Sequence, residues 1–543
     1  MFDGIVNKSM ASGGGAIDDF TNANGQQAIW IIGDSLFRTS ESLEAGPEPF
    51  RTGIVYRTNS TGGTISEVTT ADIEGVTNGS CWPKFGVDYY KRTQRKCVFV
   101  NSAVGGSEVH NNGTPSDNWS TSGSLYTSAK TKLANAMTTL GVTKPKMIFI
   151  SLGINDVRNV TTTTGQIETG FESLFSRIDA DYPGIPVYIG QLGLEGDGTN
   201  VSAKNTDTRA IIVTESGLYS QMYILADFMD YVGTANSTLY QTDFLHLTQM
   251  GNDLLGATMV KDLLALGAID NNPISYTFSA ISAVDTVLGF SNFLGLNDEE
   301  KKAMYDYIGY LDAKGDWTKY DSVYTFLLNT QTKADQDLRR SAKQIAGGGA
   351  SWTNKVGYVT DGSGTGVVRT NFIPSTDATA GGFQSNNNIA GLFIKDRTSG
   401  TGSKRTSMGV VGNVANRHHY MSETDGLGEF IQVNNCGTES TGTPSVGSAL
   451  LFDGNRIWLN RRSGIGAHAL GRFPAIGYVS GVVNSVGHVN LEFIIGGKNN
   501  NGTYDEFMAL TSYGCYFMIG GSTEYIRGAR KFREFCIDLL LWA

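Results

Sequence analysis

The fold turns on the reading of "IWIIGDSLFRTS", Ile29–Ser40. Four apolar residues, Ile29 to Ile32, run without a break into Gly33, Asp34 and Ser35. A short unbroken apolar run is the pattern of a strand buried on both faces, as in a parallel sheet. Ser35 stands just beyond its end. A serine in that place is, by itself, an ordinary helix N-cap. The rest of the chain decides whether it is more.

That run extends back to Ala28, and others of the same kind lie at Cys97–Val100, Met147–Leu152 and Val187–Ile189. Segments of helical spacing fall between and after them. Leu125, Ala129, Leu133, Ala136 and Leu140 make one apolar face; Ile167, Phe171, Leu174, Phe175 and Ile178 make another; Leu254, Leu255, Met259 and Leu263 make a third. Short apolar strands alternating with helices predict an α/β three-layer domain with a parallel sheet. In such sheets ligands bind at the carboxyl ends of the strands.

This pattern covers only part of 543 residues, and a chain of that length exceeds a single core. Residues 1–27 read as a lead-in, 28–270 as the α/β domain, 271–346 as a helical connection and 347–543 as an all-β sandwich. The connection contains "LNDEEKKAMYDYIGYL", where Asn297 and Glu300 form a capping pattern ahead of Met304, Ile308 and Leu311. The last part is a series of short strands and turns, with Asp453-Gly454 as a hairpin signal. A helix carrying Phe532, Phe535, Leu539 and Leu540 closes the chain.

Composition narrows the partners. Only 17% of residues are charged and the formal net charge is −10, which argues against nucleic acid. No apolar run reaches the roughly 18 residues of a membrane span. The first residues lack the basic-then-apolar layout of a signal peptide. The five cysteines fit no zinc spacing and read as buried thiols, with a Cys81–Cys97 disulfide as the alternative. His418, His419, His468 and His488 show no tight ligand spacing either, so no metal and no cofactor is assigned.

The other strand ends change the reading of Ser35. "NSAVGGSEV" follows the Cys97–Val100 run, "GINDVRN" follows Met147–Leu152, and "TDFLHLTQMG" lies beyond the last candidate strand. A parallel sheet brings these ends to one edge, and with them Ser35, Gly106, Asn155, Asp243 and His246. Together these residues have the chemistry of acyl transfer. A serine hydroxyl attacks only when a neighbouring base takes its proton, and His246 can be that base. Asp243, three residues earlier, can hold the imidazole in one tautomer. The backbone of Gly106, the Asn155 amide and the Ser35 N–H can receive the oxyanion.

These blocks, "GDSL" at Gly33–Leu36, "NSAVGG" at Asn101–Gly106, "GIND" at Gly153–Asp156 and "DFLH" at Asp243–His246, resemble the SGNH (GDSL) hydrolase family in kind and order. Ala103 stands where the second block often has glycine. The resemblance implies a flavodoxin-like domain with Ser35 as nucleophile and first oxyanion donor. It makes Gly106 and Asn155 the other donors, His246 the base and Asp243 its orienting partner. Residues 347–543 resemble the concanavalin A-like jelly roll, a domain often appended to phage tail proteins and extracellular carbohydrate-active enzymes.

The remaining candidates are pocket residues. Trp82 and Trp119 lie in long insertions, where they stack on a sugar or anchor their loops. Arg158 and Gln191 are candidates for polar substrate contacts, and His110 is a pocket residue or a surface histidine. Polar loops, these aromatic residues and the sandwich favour an O-acetylated glycan as substrate. The expected setting is a phage tail or another extracellular location, with self-association or other virion proteins as partners. A lipid or thioester hydrolase, and a non-catalytic adhesion protein, are the alternatives.

Overall fold

The structure is a computed structural model. It describes residues 19–35, 53–68, 80–192, 203–227, 246–247, 249–269, 282–341, 344, 346–354, 356–361, 366–377, 387–400, 404–411, 418–424, 430–436, 440–442, 456–463, 467–473, 478–482, 493–495, 498–500, 503–505, 508–518 and 524–541. The chain divides into two compact units, Met1–Ser275 and Tyr276–Ala543.

The first unit is built on a sheet of β1 (Gln26–Gly33), β2 (Val55–Thr58), β3 (Ile65–Glu67), β4 (Lys96–Asn101), β5 (Met147–Ser151), β6 (Val187–Gln191) and β7 (Met222–Asp227). Its order is β3-β2-β4-β1-β5-β6-β7, and every pairing is parallel except β2 with β3. Without the β2–β3 edge, the five strands follow the doubly wound order 2-1-3-4-5. The four apolar runs of the sequence are β1, β4, β5 and β6.

Helices α1 (Trp82–Thr93), α2 (Leu125–Leu140), α3 (Ile154–Arg158), α4 (Thr164–Asp181), α5 (Ala203–Gly217) and α6 (Gln249–Ala265) follow in turn. Alternate strand residues serve opposite faces. Ala28, Trp30, Ile32, Ile148, Ile150, Val187 and Ile189 pack with Leu133 and Ala136 of α2 and with Phe171, Leu174 and Phe175 of α4. The residues between them face the other way: the rings of Phe99 and Phe149 lie 5.4 and 5.1 Å from that of Trp82 on α1. Both faces are therefore covered, and the strands are apolar throughout for that reason.

Trp82 is thus a core residue, fully buried among Phe85, Phe99 and Phe149, with no ring face left for a sugar. Cys81 and Cys97 are buried free thiols, so the disulfide alternative does not hold. Among the described residues no helix is long and apolar enough to cross a membrane.

Among the described residues the second unit holds two sheets. One runs Ser351–Thr353, Gly357–Val359, Met508–Met518, Asn387–Gly400, Arg456–Ser463, Ala467–Phe473 and Tyr478–Val482, all antiparallel, with Tyr320–Thr325 also paired to Met508–Met518. The other includes Phe430–Cys436, His418–Thr424, Lys404–Val411 and Val367–Arg369. The Asp453-Gly454 hairpin signal lies outside the described residues. Asn297 caps the helix Asp298–Met304 by accepting from the Glu300 N–H at 2.8 Å. Glu300, fully buried, returns the bond to the Asn297 N–H and also takes the N–H and Nδ2 of Asn329. The helix Glu524–Leu541 packs Phe535 flat on Tyr307, with ring centroids 4.7 Å apart.

Replacing Trp82 with alanine is expected to lower unfolding stability of the first unit by about 3–5 kcal/mol, the usual cost of emptying a large aromatic site. Denaturant unfolding followed by circular dichroism measures it, and a loss under 1 kcal/mol would contradict the core assignment.

Candidate active site

The site forms where the strand order reverses. From β1 the chain passes through β2 and β3 to β4 on one side and then crosses to β5 on the other, and the crevice at such a point takes ligands. The carbonyl of Gly33, the last residue of β1, accepts from Val104 N at 2.9 Å and from Ser107 Oγ at 3.3 Å. Asp34 N donates to Ser151 O at the end of β5 at 3.1 Å. These bonds fasten the turn after β1 to both neighbouring strand ends. Ser35, partly exposed, projects from that turn.

His246 is nearly buried, and its Nε2 stands 2.8 Å from Ser35 Oγ. The two residues are 211 positions apart. A neutral imidazole at that distance can take the hydroxyl proton. Asp243 lies outside the described residues.

The segment after β4 is bent tightly. Ser107 N donates to Val104 O at 3.2 Å, closing a four-residue turn with Gly106 in its third place. Gly106 has φ +76°, an angle that glycine adopts without strain, and a Cβ there would meet open space. The demand for glycine is therefore conformational, and the residue stays exposed. Asn155, on α3 just past β5, donates Nδ2 to Ser107 O at 3.0 Å. One amide hydrogen is thereby used and the second remains for a ligand. His246 thus meets Ser35 directly, and Asn155 is tied through Ser107 to Gly33, two residues before Ser35.

Trp119 is fully buried, and its Nε1 donates to Ser107 Oγ at 3.0 Å. It anchors its loop and offers no stacking face. Gln191, at the end of β6, is buried and spends Nε2 on Arg209 O of α5 at 2.9 Å, which fixes helix to strand. Arg158 closes α3 and is exposed. His110 is neither a pocket nor a surface residue: it is buried, with Nδ1 2.7 Å from Asp156 Oδ1.

Sequence reasoning did not assign Asp156 a part. Its carboxylate is fully buried and accepts from Val109 N at 2.9 Å and His110 N at 3.2 Å. The available signal was its place next to Asn155 in "GIND". The Asp156 hydrogen bond is the largest influence on His110 and pushes its pKa above the usual 6.5. Burial opposes this, the charges of Asp156 and Glu108 add to it, and Lys204 opposes it.

Residues 29–258 match the profile of the GDSL-like Lipase/Acylhydrolase family. Residues 29–258 are a GDSL/SGNH hydrolase domain. Among solved structures the chain is similar to NanS, at 11% identity over 46% of this chain and 99% of that one, with a TM-score of 0.35. It is also similar to a family two carbohydrate esterase from Clostridium thermocellum, at 12% identity over 44% and 63%, TM-score 0.28. A third similarity is to the lipase/acylhydrolase from Enterococcus faecalis, at 16% identity over 45% and 97%, TM-score 0.26. No curated protein matches the chain.

The raised His110 pKa has a definite sign for stability. Folding favours the protonated form, so the contribution is complete below 6.5 and fades as pH rises through the folded value. Replacing His110 with phenylalanine should therefore cost more stability at pH 5.5 than at pH 9. Urea unfolding at the two pH values measures it, and a cost that grows with pH would contradict the assignment.

Proposed function

We propose that residues 28–270 act as a serine esterase that removes O-acetyl groups from a carbohydrate. The observation that carries the esterase reading is the 2.8 Å approach of His246 Nε2 to Ser35 Oγ inside a GDSL/SGNH domain. His246 takes the Ser35 proton as Oγ attacks the acyl carbonyl. The oxyanion formed faces the N–H groups of Ser35 and Gly106 and the second amide hydrogen of Asn155. Collapse of the intermediate breaks the acyl–oxygen bond, and His246 returns the proton to the departing sugar hydroxyl. Water, deprotonated by the same imidazole, then releases acetate from Ser35. Asp243, three residues before His246, orients the ring.

The choice of a short acyl group and a sugar rests on composition. The segments 41–80 and 107–123 are rich in Gly, Ser, Thr and Asn. Val109 and Trp119, the largest apolar residues of the second segment, are fully buried. What that segment turns outward is polar and offers little to a long acyl chain, each methylene of which would contribute about 0.8 kcal/mol against an apolar wall. The setting we propose is a phage tail or receptor-binding protein, or another extracellular protein, acting on surface polysaccharide. The Gly/Thr/Asn-rich strands of residues 347–543 support it. We read those residues as a jelly roll that binds glycan or serves assembly.

Two measurements test this reading. Ser35→Ala should lower turnover of nitrophenyl acetate by on the order of 10³-fold or more, and near wild-type turnover would remove the nucleophile assignment. Acetyl esters should be preferred over butyryl and strongly over octanoyl esters. Catalytic efficiency that climbs steadily to eight carbons would replace the carbohydrate reading with a lipid one.

A further inference from the structure

We propose that His110 and Asp156 are positioning residues that hold the oxyanion-binding side of the site in register; the inference rests on the esterase reading above. Asn155 and Asp156 are consecutive, and both grip the segment after Gly106. Asn155 Nδ2 holds Ser107 O at 3.0 Å, while Asp156 takes Val109 N at 2.9 Å, His110 N at 3.2 Å and His110 Nδ1 at 2.7 Å. The two oxyanion donors beyond Ser35 therefore sit on two backbone segments laced directly to each other. The clasp between them is made by a fully buried carboxylate.

The surroundings leave this clasp little slack. A Cβ on Gly170 of α4 would lie 2.8 Å from Val109 C and O and 3.0 Å from His110 N, so α4 backs straight onto the clasped segment. His110 Nε2 faces Thr162 Oγ1 at 3.4 Å. Asn159 Nδ2 donates to Glu108 Oε1 at 2.9 Å, and Lys204 Nζ donates to Asn159 O at 2.6 Å. Glu108 Oε2 lies 3.7 Å from His110 Nδ1. Asp156 and Glu108 both act on Lys204, and both lie beside His110, whose pKa their charges raise. Charge-assisted bonds of this kind are short and directional. Oxyanion donors are effective only when already aimed, and misplacement by about 1 Å can cost on the order of 10²-fold in rate.

The test compares His110→Leu, which deletes the Nδ1 donor, with His110→Asn, whose amide nitrogen falls near the place of Nδ1. Active sites are counted by titration with an organophosphate, so that a poorly folded fraction does not enter the rate. Turnover of nitrophenyl acetate and binding of a boronic acid, which forms a tetrahedral adduct on serine, are then measured per active site. His110→Leu should lower kcat by about 10–100-fold, the range set by donor misplacement. Its KM should stay within about twofold, because the ground-state carbonyl gains little from the donors. Boronic acid affinity should fall with kcat, and His110→Asn should restore both to within about threefold of the unsubstituted protein. A kcat per active site unchanged in His110→Leu, or a loss shared by both variants and carried by KM, overturns the positioning role. If Ser35→Ala is inactive in the same assay while His110→Leu is unaffected, only this inference falls. Turnover surviving in Ser35→Ala overturns the esterase reading and this inference with it.

Discussion

Every residue of β1 from Gln27 to Gly33 is buried, and the strand is hydrogen-bonded to β4 on one side and β5 on the other. That constraint sets the position of all that follows. A slip of one residue would turn Trp30 from one core into the other. Trp30 is held against this by a T-shaped contact with Tyr182 at 5.2 Å and by donation of Nε1 to Ser102 Oγ at 3.1 Å. At the other end, Gln27 accepts from Tyr89 OH at 2.7 Å and donates to Thr21 Oγ1 at 2.8 Å. The strand is thus pinned along its length, and Ser35 leaves it at one place, beside the ends of β4 and β5. The approach of His246 depends on that exit point as much as on His246 itself.

The sequence declared the parts of the first unit whose physics is apolar. The runs at β1, β4, β5 and β6 and the faces of α2, α4 and α6 were legible because burial on two sides, or along one helical stripe, leaves a period. Strand β7, Met222–Asp227, carries an apolar run that the reading passed over, and the other elements that escaped lack a period. In α1, Lys84 and Asp88 are buried and paired at 3.1 Å, which breaks the apolar stripe with charges. In α5 the buried side chains are Asn205, Thr208, Ile212, Glu215 and Ser216, so its inner face is polar. Strands β2 and β3, of 4 and 3 residues, are too short to show alternation.

Of the site, the blocks with Ser35, Gly106 and Asn155 each follow an apolar run, whereas the block with His246 was found by its motif alone. The neighbours that fix them are polar residues whose partners lie far along the chain. Asp156 meets His110 across 46 positions, and Trp119 meets Ser107 across 12. Spacing carries no trace of such pairings, and an isolated tryptophan reads equally as ligand platform or anchor. Burial separates the two: Trp82 and Trp119 have no surface left, and the polar end of Trp119 is already spent on Ser107.

The central claim is that Ser35, activated by His246, is the nucleophile of the first unit. Treatment with a serine-directed organophosphate, followed by peptide mass mapping, tests it most directly. A single adduct on Ser35, absent when His246 is replaced by alanine, is the expected result. An adduct on another serine with Ser35 unlabelled, or labelling of Ser35 that persists undiminished without His246, would contradict the account.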